Sequence, residues 1–131
     1  MGTGNTVWGG VYPAPICPMN EDQSIDHPTL ERYSAWLASH PGVSGLVVNG
    51  NAGEVTLLSD EEALDVVRTT RAAVPRSVRV VTGIVADSTV EAVREALDAV
   101  EAARQRPPEL GLREQHRGVC VGEHTGQHRA A

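Results

Sequence analysis

The chain has 131 residues and a formal net charge of −6; that is room for one modest domain, and the wrong sign for a general nucleic-acid binder, which needs a basic face to displace counterions. Phe is absent and the aromatics are Trp8, Tyr12, Tyr33 and Trp36, so a core has to be built from Val, Leu, Ile and Ala. All eleven basic residues are arginine, which excludes chemistry by a side-chain amine, because only lysine can shed its proton near neutral pH and attack a carbonyl.

The charge is uneven along the chain: residues 1–103 carry −8 and residues 104–131 carry +2. Cys17 and Cys120 make no disulfide framework, and with no secretory leader to read the expected compartment is the cytoplasm. No apolar run approaches the roughly 20 residues of a membrane span. Met1-Gly2 with Thr6 fits the short N-myristoylation pattern, but a flexible polar leader accounts for the same residues.

In chain order, Val11 to Cys17 reads as a short extended segment, which Pro13 and Pro15 limit to a bent or edge-like strand. Pro18 to Ser24 is turn-like. A helix starts near Asp26 or His27, with Pro28 in the first turn, and Leu30, Tyr33, Trp36 and Leu37 fall on one face. Pro41-Gly42 ends it. Leu46-Val47-Val48 is a continuous apolar run, the mark of a strand buried on both faces. The turn Gly50-Asn51-Ala52-Gly53 follows, then a capping box of Ser59 with Glu62 and a helical face of Ala63, Val66, Val67 and Val74.

The pattern repeats with a strand at Val78, Val80 and Val81, Gly83 after it, a second capping box of Ser88 with Glu91, and a stripe of Val93, Ala96, Leu97 and Val100. Three strands alternating with three helices predict a parallel sheet of βαβ units. After Ala103 the apolar period stops, and residues 104–131 read as a disordered or foreign tail beside a 1–103 domain. His116, Cys120, His124 and His128 recur every four residues in that tail. Gly118, Gly122 and Gly126 disfavour the helix such a zinc face needs by about 1 kcal/mol each, so no metal site is assigned.

Three stretches carry a resemblance. They are Ile16-Cys17-Pro18-Met19 ahead of Ile25-Asp26, Gly45 to Glu54 running into Leu58-Ser59-Asp60-Glu61-Glu62, and Val80-Val81-Thr82-Gly83 ahead of Asp87-Ser88-Thr89. In order and spacing, residues 7–103 resemble the dihydrodipicolinate synthase / N-acetylneuraminate lyase family of class I aldolases. The resemblance implies an α/β fold, the first three βα units of a (β/α)8 TIM barrel of about 250 residues, incomplete here. It also implies lyase chemistry in which pyruvate or another 2-oxo acid forms a Schiff base with a lysine and its enamine adds to an aldehyde, or the reverse. No cofactor is implied, and full-length relatives are expected to be homo-oligomers with a small-molecule substrate and no nucleic-acid or membrane partner.

The family's loop after the second strand normally presents two hydroxyls and backbone N–H groups to the substrate carboxylate. Here the substrate-binding candidates are Gly50, Asn51, Ala52 and Gly53, with Asn51 and Ala52 in the hydroxyl positions. Anion binding by amides survives that change and a hydroxyl proton relay does not; the alternative is that Gly50 and Gly53 only permit a tight turn, with Glu54 bracing it. Thr82-Gly83 is either pocket lining or a satisfied Thr before a strand-ending Gly. Cys17 reads as a buried filler rather than a nucleophile. The family's catalytic tyrosine and Schiff-base lysine belong to its fifth and sixth strands and have no counterpart in the chain, so no catalytic residue is assigned. The expectation is a truncated or frameshifted member, inactive as it stands, the alternative being a non-catalytic fragment that binds itself or a partner.

Overall fold

The prolines near the amino end decide how far the sheet extends. In the computed structural model, which describes residues 8–105, Val11 makes an isolated parallel bridge to Val43. The Val11 N–H donates to the Gly42 carbonyl at 2.8 Å, the Ser44 N–H to Val11 at 2.9 Å, and the Val47 N–H to Pro13 at 3.0 Å. Pro13 and Pro15 have no N–H to return, so this ladder ends there. The expected three-stranded sheet is therefore corrected to two strands, β1 (Gly45–Val48) and β2 (Arg79–Thr82), with segment 11–17 as an extended strap along the far edge of β1. The two strands are parallel, with Leu46 opposite Val80 and Val48 opposite Thr82.

Alternation along β1 buries Leu46 and Val48 completely under the helices and leaves Val47 half-buried on the opposite face. The expectation of burial on both faces is corrected: the strap covers that second face in part. At its lower end the Arg79 guanidinium donates to the Tyr12 hydroxyl at 2.8 Å and lies 5.2 Å from the Trp8 ring centre. Gly45 is required beneath Tyr12, whose ring carbon would lie 2.4 Å from an added Cβ.

Helix α1 (His27–Ala38) begins where Asp26 accepts the Thr29 N–H at 3.0 Å, with Pro28 in the first turn. Its buried line is His27, Leu30 and Ser34; of the predicted stripe Leu30 is buried and Leu37 packs partly buried on the core, whereas Tyr33 is half-buried and Trp36 is outside. Trp36 is exposed and packs edge-on against His40. Ser34 is fully buried, as is Thr70 on helix α2 (Asp60–Ala73), which packs against α1.

Helix α2 carries the full predicted capping box. The Ser59 hydroxyl accepts the Glu62 N–H, and the Glu62 carboxylate accepts the Ser59 N–H at 2.8 Å. Its other end is held by Arg71, which donates to the Val74, Pro75 and Val78 carbonyls. Helix α3 (Thr89–Ala102) has half of its predicted box: Ser88 accepts the Glu91 N–H at 3.2 Å, and the carboxylate returns to the hydroxyl rather than to the backbone.

The predicted α3 stripe is inverted. Ala99 and Ala102 are the buried positions, Ala102 packing with Val66 and Val67, whereas Val90, Val93, Leu97 and Val100 are all more than half exposed. The core thus sits between one sheet face and the helices, in two clusters centred on Leu30, Val48 and Val67 and on Leu46, Val74 and Val78. The predicted tail from 106 onward, with its His116, Cys120, His124 and His128 spacing, and the Met1-Gly2 leader lie outside the described residues.

Candidate functional site

The strands end side by side, and their exits define the candidate site. Directly after β1, Asn49 is buried with φ of 54°, and its side-chain amide donates to the Ala63 carbonyl on α2 at 2.9 Å and to the Thr82 hydroxyl at 3.0 Å. One side chain thereby ties the exits of both strands to the first turns of α2. The Thr82 hydroxyl in turn donates to the Gly83 carbonyl at 3.2 Å. Both of its hydrogen-bonding roles are filled within the fold, and Thr82 also lines the cavity described below, so neither expectation for it is set aside. Sequence reading passed over Asn49. The signal was an Asn-Gly pair closing an apolar strand, since Asn is among the few residues that enter the left-handed region at low cost.

Beyond Asn49, residues Asn51–Gly53 form a single 3₁₀ turn. Its internal bonds use the N–H groups of Gly53, to Gly50 at 3.0 Å, and of Glu54, to Asn51 at 3.1 Å. The N–H groups of Asn51 and Ala52 stand outside those bonds on an exposed turn. The expected dependence on glycine is corrected. Gly50 has φ of −95° and open space where a Cβ would go, and Gly53 is in ordinary contact with Pro15; the left-handed residues are Asn49 and Glu54, one on each side.

Cys17 is buried beneath this loop, and burial first, then the Glu54 and Glu62 carboxylates, push its thiol above the usual range. A thiolate is disfavoured there, so the residue packs as a small hydrophobe. A cavity of about 480 Å³ opens between α2, α3 and the strand exits, lined by Asn49, Thr82, Leu64, Arg94 and Asp98 among others. Gly50, Asn51, Ala52 and Gly53 are not part of its wall. Among the described residues no cluster of three or more His, Cys, Asp or Glu is placed to hold a metal ion.

On the opposite side of α2, the His27 ring nitrogen Nδ1 lies 2.8 Å from the Thr69 hydroxyl. Burial lowers its pKa below 6.5, with Asp65 and Asp26 offsetting part of the effect. The fold therefore holds the neutral ring, and the unfolded chain binds the proton more readily. The stability tied to this residue is fully present above pH about 6.5 and is lost as pH falls toward the folded-state value. Denaturant titrations from pH 7.5 down to pH 5 should show the wild type losing stability while His27→Gln changes less over the same interval. Equal slopes would rule out the buried imidazole as the cause.

The model of the dihydrodipicolinate synthetase family matches residues 7–104. The chain belongs to that family. The 4-hydroxy-tetrahydrodipicolinate synthase of Neisseria gonorrhoeae is 39% identical over 84 residues, which are 64% of this chain and 28% of that protein. The enzyme of the same name from Polynucleobacter asymbioticus is 35% identical over 92 residues, 70% of this chain and 29% of its own.

Among solved structures, a dihydrodipicolinate synthase family protein from Coccidioides immitis superimposes with a TM-score of 0.68 at 30% identity, covering 72% of this chain and 32% of that one. The synthase from Methylacidiphilum fumariolicum does so with a TM-score of 0.67 at 31% identity, over 73% and 31%. The structural neighbours are TIM barrels, and this chain is a partial α/β piece of that fold. It spans about three-tenths of the length of the relatives it matches. No helix among the described residues is long and apolar enough to cross a membrane.

Proposed function

We propose that residues 1–103 are the carboxylate-binding portion of a Schiff-base lyase acting on pyruvate or a related 2-oxo acid, and that the 131-residue chain does not itself catalyse the reaction. The observation that carries this reading is compositional: a chain of this family holds no lysine. Imine formation needs a neutral amine, and a guanidinium keeps its proton at any pH the fold tolerates. Gly50, Asn51, Ala52 and Gly53 keep the substrate-facing role by position. The exposed N–H groups of Asn51 and Ala52 and the Asn51 amide act as donors to a carboxylate, and the hydroxyl relay of the family is lost.

The stretch 104–131 is a separate tail in this reading, supported by the family match ending at residue 104 and by the reversal of charge there. Borohydride treatment in the presence of pyruvate should leave every side chain unmodified in a peptide map; a reduced pyruvyl adduct on any side chain would overturn the proposal.

A second reading, a non-catalytic fragment that binds a partner, is favoured by one observation. The aliphatic stripe of α3 is exposed, where a finished barrel would have it covered.

A further inference from the structure

Helix α1 packs mainly on α2, and the seam between them is largely polar. Of the three buried positions of α1, His27, Leu30 and Ser34, only Leu30 is apolar. It joins Val66 and Val67 of α2 in one cluster, and Leu37 and Ala38 add partly buried contacts at the far end of the helix. His27 lies against the Thr69 hydroxyl. Ser34 and Thr70 are fully buried, and neither hydroxyl has a hydrogen-bond partner among the described residues. Closing the seam therefore takes two hydroxyls out of water without replacing the bonds they make there. Segments with few buried apolar contacts open well before the whole fold does.

The groups around His27 decide how a proton acts on this seam. Asp65 faces it from α2, where Arg68 holds the carboxylate at 2.6 Å. Asp26 faces it from the turn before α1 and accepts the Thr29 N–H and hydroxyl, while Arg32 donates to that same hydroxyl at 2.9 Å. Both carboxylates favour a charged ring, but burial outweighs them and lowers its proton affinity in the closed seam. Once the seam opens, the ring takes up a proton at its ordinary value of about 6.5. Proton binding and opening are thus linked, and opening grows as pH falls. Helix α2 has anchors that do not involve α1. They are the Ser59–Glu62 box at one end, the carbonyls bound by Arg71 at the other, and Arg68 bridging Glu61 and Asp65.

We infer that the α1–α2 seam is an acid-opened latch: a proton on His27 releases α1 from α2 while α2, β1 and β2 stay folded. Nothing in this latch depends on the carbonyl chemistry proposed above, and a borohydride adduct would leave it standing.

Hydrogen exchange of the full 131-residue chain, followed amide by amide at pH 7.5 and pH 5 with intrinsic exchange rates divided out, tests the latch. At both pH values the amides of 31–38 should be about tenfold or more less protected than those of 64–73, β1 and β2. From the higher pH to the lower, their protection should fall by a further factor of about three to thirty, the upper limit following from an open-state imidazole near 6.5. His27→Gln should abolish most of that fall. Thr70→Val keeps the side-chain shape and removes an orphan hydroxyl, so it should raise the protection of 31–38 by about threefold or more. Three results overturn the inference: equal protection across α1 and α2 at both pH values, a fall that persists in His27→Gln, or lower protection in Thr70→Val. Should His27→Gln fail to fold, the ordering of protection in the wild type and the Thr70→Val result decide alone.

Discussion

Replacing Gly83 with alanine should cost about 3 kcal/mol, the upper end of what overpacking a well-packed site brings. An added Cβ would lie 2.2 Å from the Asn49 carbonyl oxygen and 3.0 Å from its carbon. Those are backbone atoms and cannot rotate aside. The strand exits would have to separate, and the hydrogen bond from the Gly83 N–H to Val48 would go with them. For a domain of this size the thermal midpoint should fall on the order of 10 °C or more. Gly50→Ala is the control: its φ of −95° suits any residue and nothing lies within 4 Å of the new atom. Thermal melts of the two variants should differ sharply. Equal, small losses would mean that β1 and β2 are not held together at their exits.

That contrast also shows how far local signals carried. Helix starts were legible because a cap is chemistry within four residues: Asp26 with Thr29 and Ser59 with Glu62 form the bonds their spacing predicts. Strand existence at 46–48 and 79–82 was legible from aliphatic runs. What failed depended on partners distant in sequence. Segment 11–17 has strand-like residues, but pairing needs N–H groups that Pro13 and Pro15 lack. Trp36 was placed inside by periodicity and sits outside, because α1 meets α2 through His27 and Leu30, on another side of the helix. The α3 stripe has the pattern of a buried face and no neighbour among the described residues to bury it, and the smaller alanines pack on α2.

The loop expected to face substrate, Gly50 to Gly53, lies beside the cavity at the strand exits and not in its wall. Gly50, Asn51, Ala52 and Gly53 stand out by resemblance to the family's loop, and the competing reading needs Gly50 and Gly53 for a tight turn through left-handed backbone. That conformation falls instead on Asn49 and Glu54, residues that a motif alone does not single out.

Asn49 therefore carries the second large effect. Asn49→Ala removes both donated bonds, to Ala63 and Thr82, and puts a residue with no local polar compensation at φ of 54°. Lost buried hydrogen bonds cost about 1–3 kcal/mol and the left-handed backbone adds about 1–2 kcal/mol, so a total near 3 kcal/mol is expected. Asn49→Gly loses the same bonds but relaxes the backbone, and should be about 1 kcal/mol milder. Thr82→Val keeps the volume and removes one of the two acceptors. In a double-mutant cycle with Asn49→Ala its effect should be non-additive, by about 0.5–3 kcal/mol, because the two side chains share one bond. Urea unfolding of the four proteins in that cycle, plus Asn49→Gly, separates the backbone contribution from the amide contribution. If alanine and glycine at position 49 prove equally costly and the cycle closes with no coupling, the 50–54 loop is positioned by packing against the strap, and the amide that joins β1, β2 and α2 contributes nothing to holding that turn in place.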